Sequence, residues 1–246
     1  MRLDVFLHQN GLAKSREYAK KIIEGNLVEV DGTKITKASF SIRGDEDVRI
    51  LGELFPYVGR GGLKLKAAID AFSIDAGGKV CIDIGSTSGG FVDCLLQHGA
   101  KRVYAVDCGK DQLDPSLRNR EDVVVMEQFN ARALKRDSLS ECCDMATMDV
   151  SFISQTLLYE GMCNVLEDMA SVVCLIKPQF ECGPKLLGKG GIVRDRSIHK
   201  EVIKNVLQSA QHYGLTANGL IRSPITGGDG NTEFLEHADL CWADLT

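Results

Sequence analysis

Two groups of residues in this 246-residue chain have the types and spacing for chemistry. The first is the run Val80-Cys81-Ile82-Asp83-Ile84-Gly85-Ser86-Thr87-Ser88-Gly89-Gly90-Phe91. Its apolar beginning suits a buried parallel strand, and Gly85, Gly89 and Gly90 let the following turn approach a ligand closely. Thr87 stands where a dinucleotide loop has its middle glycine, and no Gly-Lys-Ser/Thr ending follows. A nucleoside ligand without a pyrophosphate explains both absences. The second group is Lys64, Asp149, Lys177 and Glu233, far apart in sequence. Two amines and two carboxylates around one point form either a buried ion-pair network or an acid–base centre. In the second case a neighbouring cation and partial burial favour a neutral amine that can take a proton from a hydroxyl.

The elements expected to hold these groups alternate between strand and helix, the pattern of an α/β fold with a mostly parallel sheet. Leu65, Ala68, Ile69 and Phe72 mark a helix that starts at Gly61 and Gly62. The strand 80–84 leads into a helix from Phe91 to His98, then a strand Arg102–Val106 ending at Asp107. Further strands are expected at Val123–Met126, at Met145–Met148 ending in Asp149, and at Ser171–Ile176 ending in Lys177-Pro178. Polar residues thus recur where strands end, the edge at which open α/β sheets bind ligands. Asp107 lies 24 positions after Asp83, close to the offset at which an acid holds ribose hydroxyls, although it could merely cap the next turn. The segment Met126–Asn130 follows the third strand, where an adenine ring is expected.

Leu215–Ile221 and Glu233–Leu240 read as strands joined by Thr226-Gly227-Gly228-Asp229-Gly230-Asn231. If the first of these runs parallel to the rest, the second is antiparallel. Glu233 then starts at the edge where Asp149 and Lys177 end. The helix from Gly61 packs antiparallel to the strand it precedes, which brings Lys64 in its first turn to the same edge.

Residues 1–53 read as a separate module of two helices and a small sheet. Leu3, Phe6 and Leu7 share a helical face; Ser15 is suited to cap a second helix carrying Ala19, Ile22 and Ile23 and stopped by Gly25. Leu27–Val30, Asp31-Gly32 and Thr33–Ile35 carry the signal of a hairpin with a type I′ turn. Residues 1–44 hold 8 Lys and Arg against 5 Asp and Glu inside a chain of net charge −5. Such a basic face is either simply solvated or a set of phosphate contacts to RNA.

The pattern Arg2-Leu3-Asp4, Leu7, Gly11-Leu12-Ala13-Lys14-Ser15-Arg16, Ala19, Ile23, Gly25, Val28, Val30 and Gly32 resembles the S4 RNA-binding domain, with Asp31 where that domain more often has Asn. The resemblance implies that Arg2, Lys14, Ser15, Arg16 and Lys20 line an RNA face. From about residue 58 onward the chain is similar to the FtsJ-like, S-adenosylmethionine-dependent RNA 2′-O-methyltransferases, whose catalytic tetrad Lys64, Asp149, Lys177 and Glu233 match in order and setting. The segments Arg60-Gly61-Gly62-Leu63-Lys64, Asp149-Val150-Ser151-Phe152-Ile153-Ser154, Ile176-Lys177-Pro178-Gln179-Phe180-Glu181 and Gly230-Asn231-Thr232-Glu233-Phe234 make the whole chain similar to the TlyA family. That family carries the name haemolysin and acts as an rRNA cytidine-2′-O-methyltransferase. The resemblance implies a Rossmann-like methyltransferase domain over 61–246 behind an S4 domain over 1–53 and a linker over 54–60. It assigns S-adenosylmethionine to Asp83, Gly85, Ser86, Thr87, Gly89, Gly90, Phe91, Asp107, Asn130 and Asp149, and rRNA of ribosomal subunits also to Arg60, Lys189 and Arg194. Lys177 would be the general base and Asp149 its orienting partner, with Lys64 and Glu233 placing the hydroxyl. The chain starts directly at the S4 pattern and resembles the shorter members, which are associated with large-subunit rRNA.

The remaining features narrow the classes. No apolar run approaches the roughly 18 residues of a membrane span and Met1-Arg2-Leu3-Asp4 opens no signal peptide, so a cytoplasmic protein is expected. This counts against a membrane-lysing protein, the reading the haemolysin name suggests. The nine cysteines are scattered without a C-x-x-C, which suggests buried thiols and neither a disulfide framework nor a metal site. A non-catalytic rRNA-binding assembly factor would tolerate a broken tetrad, whereas here it is complete. The glycine-rich basic stretch Gly183–Arg194 is either a flexible connection or a segment that closes over RNA.

Overall fold

The computed structural model describes residues 1–52 and 56–242, in two compact units, Met1–Pro56 and Tyr57–Thr246. The division falls inside the stretch expected as linker; Leu54 and Phe55, named in that stretch, lie outside the described residues.

The first unit comprises α1 (Leu3–Gln9), α2 (Arg16–Glu24) and the strands β1 (Val28–Val30), β2 (Thr33–Lys34) and β3 (Val48–Ile50). Ser15 caps α2, its Oγ accepting from the Tyr18 N–H at 3.0 Å. Asp31 and Gly32 both have positive φ, at 48° and 77°, as a type I′ turn requires. The sheet order is β2-β1-β3. The third strand, β3, is an addition to the sequence reading: Val48-Arg49-Ile50 is too short to show a period of two. Leu3, Leu7, Ala19, Ile22, Ile23, Val28 and Ile42 form the core of this unit.

The second unit is a seven-stranded sheet in the order β6-β5-β4-β7-β8-β10-β9. In chain order its elements are α3 (Gly61–Phe72), β4 (Val80–Ile84), α4 (Gly90–Gln97), β5 (Arg102–Val106), α5 (Pro115–Arg118), β6 (Val123–Met126), β7 (Cys143–Met148), α6 (Tyr159–Cys163), β8 (Leu166–Ile176), α7 (Pro178–Glu181), α8 (Arg196–His212), β9 (Leu215–Arg222) and β10 (Phe234–Leu240). Strands β4 to β8 pair in parallel, and β10 runs antiparallel to both β8 and β9. This is the expected α/β, Rossmann-like sheet with its reversed last strand. β8 begins five residues earlier than the apolar pattern suggests, because its start, Leu166 to Met169, is largely exposed and reads as a loop.

Every residue of β4 is buried, as a central parallel strand must be. On one face Ile82, Ile84, Met148, Val172 and Ile176 pack with Tyr159 and with Val202 and Val206 of α8. On the other face Cys81, Met145 and Val173 pack with Leu65 and Ile69 of α3 and Val92 and Leu95 of α4. Truncating one of these buried leucines to alanine costs about 2–5 kcal/mol. Tyr57 packs under α3: a Cβ at Gly62 would lie 2.3 Å from its ring. Five of the nine free cysteines are buried.

Candidate active site

The chain turns sharply as it leaves β4. Gly85 has φ 84°, and a Cβ there would lie 2.5 Å from the Asp149 carbonyl oxygen, so a larger residue would force the ends of β4 and β7 apart. The Gly85 and Ser86 N–H groups donate to the Val106 carbonyl, at 2.8 and 3.1 Å. Asp107 fastens the turn from the neighbouring strand, one carboxylate oxygen accepting from Thr87 N at 2.8 Å and the other from Gly109 N at 2.7 Å. Beside these residues lies a cavity of about 280 Å³, walled by Ile84, Val106, Phe129 and Val150 and carrying Asp107, Asn130 and Asp149.

A smaller cavity of about 60 Å³ adjoins the same loop and is lined by Gly61, Asp83, Ser86, Ser88, Gly90, Phe91 and Asp149 among others. Asp83 is 1% exposed. Its Oδ1 accepts from the Thr147 hydroxyl at 2.6 Å, while its Oδ2 has no hydrogen-bond partner among the described residues. Burial, with the charges of Asp149 and Asp107 adding to it, pushes the Asp83 carboxyl up to about 7. The two cavities offer an apolar slot with an aromatic wall, a carboxylate at its rim and an unpartnered buried carboxylate. That set fits a nucleoside bearing a cationic amino-acid tail.

Several sequence-expected cofactor residues also have packing or capping roles. A Cβ at Gly89 would lie 2.3 Å from Leu117 and 2.8 Å from Leu113, so this glycine makes room for α5. A Cβ at Gly90 would be 3.0 Å from Gly62 N and 3.1 Å from Gly59 O, so Gly90 lets α4 start against α3. Phe91 is 3% exposed and belongs to the core. The Asn130 side-chain oxygen is occupied in capping a short turn through Arg132 N at 3.1 Å. Phe129, within the segment expected to meet an adenine ring but not singled out there, supplies the aromatic wall.

The tetrad assembles as two ion pairs. Lys64 Nζ donates to Glu233 Oε2 at 2.6 Å, joining the first turn of α3 to the entry of β10. Lys177 Nζ lies 2.6 Å from Asp149 Oδ1 and donates to Ser151 Oγ at 2.8 Å, joining the ends of β8 and β7. The pairs meet at α3, because a Cβ on Gly61 would be 3.7 Å from Asp149 Oδ2. Both lysines are more than nine-tenths buried.

Three further residues brace this centre and were missed in the sequence. Glu181 accepts from Ser154 Oγ at 2.6 Å and from Gln155 N at 2.9 Å, tying the segment after Asp149 to the helix that follows Lys177. Asn231, 1% exposed, accepts from Val193 N at 2.9 Å and donates to Gly191 O at 3.1 Å. It thereby staples the 183–194 segment to the connection just before Glu233. Phe152 has φ 65°, is 91% exposed and sits 5.1 Å from the Phe180 ring, whose other neighbour is Lys177 Nζ at 6.0 Å. An exposed aromatic held in a left-handed backbone is costly for folding alone.

The basic residues expected to meet RNA are exposed in their own units. In the first unit Arg2, Lys14, Arg16 and Lys20 are exposed, and Ser15 is spent on its cap. Asp4, fully buried, accepts from Arg2 Nε at 2.9 Å and Arg16 Nε at 3.0 Å, and these guanidinium bonds hold its carboxyl down at about 2. It therefore fixes the two arginines side by side with part of each fork turned to solvent. Lys14 Nζ lies over the Tyr18 ring at 5.2 Å. In the second unit Lys189 and Arg194 are exposed and Arg60 Nη2 donates to Thr226 O at 3.2 Å.

A parallel sheet with a reversed last strand, a glycine turn after its first strand and a nucleoside-shaped slot beside it define an S-adenosylmethionine-dependent methyltransferase. Comparison with known proteins agrees. Residues 57–239 match the model of the FtsJ-like methyltransferases and residues 1–48 that of the S4 domain. The chain is 45% identical over 237 residues to a Bacillus subtilis protein named as an rRNA methyltransferase, YqxC, covering 96% of this chain and 84% of that one. It is 36% identical to the 16S/23S rRNA (cytidine-2′-O)-methyltransferase TlyA of Mycobacterium tuberculosis, covering 95% and 87% of the two chains. A solved structure from Streptococcus thermophilus that carries the hemolysin name is 41% identical, with a TM-score of 0.78, and the match covers 98% of this chain and 89% of that one. The chain belongs to the FtsJ-like methyltransferase family, among its TlyA and hemolysin A members, with an S4 domain ahead of the catalytic one. Its cofactor is S-adenosylmethionine. Among the described residues no helix is long and apolar enough to cross a membrane.

Proposed function

We propose that this protein methylates the ribose 2′-hydroxyl of a cytidine in the 23S rRNA of ribosomal subunits. The observation that carries the reading is the double placement of Asp149: it stands in the wall of both cavities and 2.6 Å from Lys177. A base and a methyl donor thus share one residue as neighbour. The rRNA substrate rests on the TlyA relatives, of which the Campylobacter jejuni protein is named a 23S rRNA (cytidine-2′-O)-methyltransferase, and on the S4 domain.

In this reading Asp83 meets the amino group of the cofactor, Asp107 its ribose, and the Phe129 side of the larger cavity its base. The bound cofactor supplies a sulfonium-activated methyl whose departure leaves a neutral thioether. Lys177, having first released its own ammonium proton to solvent, takes the 2′-hydroxyl proton as the oxygen bonds to carbon, and Asp149 balances the ammonium that results. Lys64, held by Glu233, approaches the same oxygen and fixes its direction. General-base assistance is worth about 10²–10⁴ in rate, and alignment of oxygen, methyl and sulfur supplies much of the rest. Phe152 offers its exposed face to the base of the unstacked nucleotide, a contact worth about 1–3 kcal/mol.

Incubating the protein with undermethylated ribosomal subunits and labelled cofactor tests the reading. The expected product is 2′-O-methylcytidine in 23S rRNA. Label in 16S rRNA alone, on a base, or nowhere would overturn it.

A further inference from the structure

A second concavity lies at the opposite end of the strand order from β6 and shares no lining residue with the cavities of the active site. It is a groove of about 620 Å³ between the flank of α8 and β9, the last strand of the sheet. β9 pairs with β10 on one side, and no strand pairs with its other side among the described residues. The outward-facing N–H and C=O groups of β9, on alternate residues, are therefore open; the strand carries no proline, and its one irregularity is the register shift that leaves Asn218 unpaired against β10. Ala217 and Leu220, the latter 40% exposed, form its floor. Its wall is two rows of α8 one turn apart: Ile203 with Leu207, half-buried, and Lys200 with Lys204, exposed. Neither lysine makes an ion pair among the described residues, and no carboxylate lines the groove.

We infer that this groove is a docking site for an extended, acidic segment of a partner protein, which adds as a strand to β9. Three features select that occupant. The open N–H and C=O row of β9 is matched by another polypeptide backbone and not by a phosphodiester. A strand laid along it sends every second side chain toward α8 at about 6.6 Å spacing, close to the one-turn spacing of Lys200 and Lys204, so two acids two residues apart meet both lysines. A second copy of this chain is disfavoured. Antiparallel pairing of two β9 strands about a dyad normal to the sheet puts both α8 helices on one face, with Lys200 and Lys204 of each facing those of the other.

The test uses the full protein and an acetylated threonine-rich peptide bearing two glutamates two residues apart between leucines, followed by amide NMR and hydrogen exchange. Expected are shifts and slowed exchange confined to residues 215–222 and the facing side of α8. Lys200→Glu with Lys204→Glu should weaken this binding by roughly tenfold or more, with melting temperature and methyl transfer unchanged. The same peptide with lysines for glutamates should not bind. The inference falls if the acidic peptide leaves β9 unperturbed, if the lysine peptide or an oligouridylate perturbs it equally, or if sedimentation shows that β9 is covered by a second copy. None of these outcomes depends on which RNA is methylated.

Discussion

Lys177 and Glu233 emerge from adjacent antiparallel strands, each just beyond the last pair, Phe234 with Ile176, yet they are not partners. Lys177 turns to Asp149 and Glu233 to Lys64, so each ion pair ties together two elements at the sheet's active edge. Such pairs cost desolvation and hold only while both members are present, which makes them sensitive to single substitutions.

Asp83 sets a pH dependence on cofactor binding. Its carboxyl is raised to about 7 and its free oxygen faces the smaller cavity, so below that pH a proton competes with the cationic tail of the cofactor. Affinity for S-adenosylmethionine should rise by up to tenfold per pH unit between pH 5.5 and about 7, then level, as one proton is displaced. Asp83→Asn should bind weakly and without that slope. Calorimetry in buffers of different ionisation enthalpy measures the proton directly; an equal slope in the variant would remove Asp83 from the cofactor site.

Glu236 predicts a pH dependence of stability. It is 2% exposed, neither carboxylate oxygen has a hydrogen-bond partner among the described residues, and burial pushes it up to about 7. Because its folded value lies above the ordinary 4.5, the neutral form is favoured in the fold. Stability from this group is full below about 4.5 and is lost as pH rises through about 7. Asp83 acts in the same direction. Glu236→Gln should narrow the difference in melting temperature between pH 5.5 and pH 8; an unchanged difference would mean that other groups govern it.

Asn231 should separate RNA binding from chemistry. Asn231→Ala leaves the Val193 N–H and Gly191 C=O without their partners, a loss of about 1–3 kcal/mol locally. The 183–194 segment should become readily cleaved by trypsin at Lys185 and Lys189, and the KM for RNA should rise several-fold while cofactor affinity holds. Wild-type resistance to trypsin in the variant would show that the staple is dispensable.

Arg16, fixed by Asp4, and the exposed Lys20 make a prediction for the S4 unit. Arg16→Glu with Lys20→Glu should weaken RNA binding and reduce the slope of log affinity against log salt by roughly one for each phosphate no longer neutralised. Equal binding and slope at all salt concentrations would place the RNA elsewhere.

Much of this was legible in the chain. The polar residues at strand ends announced Asp107, Asp149 and Lys177, and the reversed last strand followed from the hairpin-like connection before Glu233. The partnership of Asp149 with Lys177 came only from the family resemblance, because from the residues alone it depends on the register of β10 against β8 and on side-chain direction beyond their last pair. The packing reasons for Gly89 and Gly90 were not legible, because they are set by what a Cβ would meet, here Leu117 and the start of α3. Asn231 looked like a turn residue; only the fold shows its amide reaching Val193 and Gly191, 38 and 40 residues away in sequence. Phe129 and Phe152 stood inside segments already named, but their individual roles depend on exposure, which the chain alone does not give.

The central claim is tested most directly by single-turnover methyl transfer to large ribosomal subunits, comparing the native enzyme with Lys177→Ala and mapping the product by mass spectrometry. The account predicts one 2′-O-methylated cytidine from the native enzyme and a rate lower by at least about 10² in the variant, with its S-adenosylmethionine affinity retained. Undiminished transfer by Lys177→Ala would contradict it.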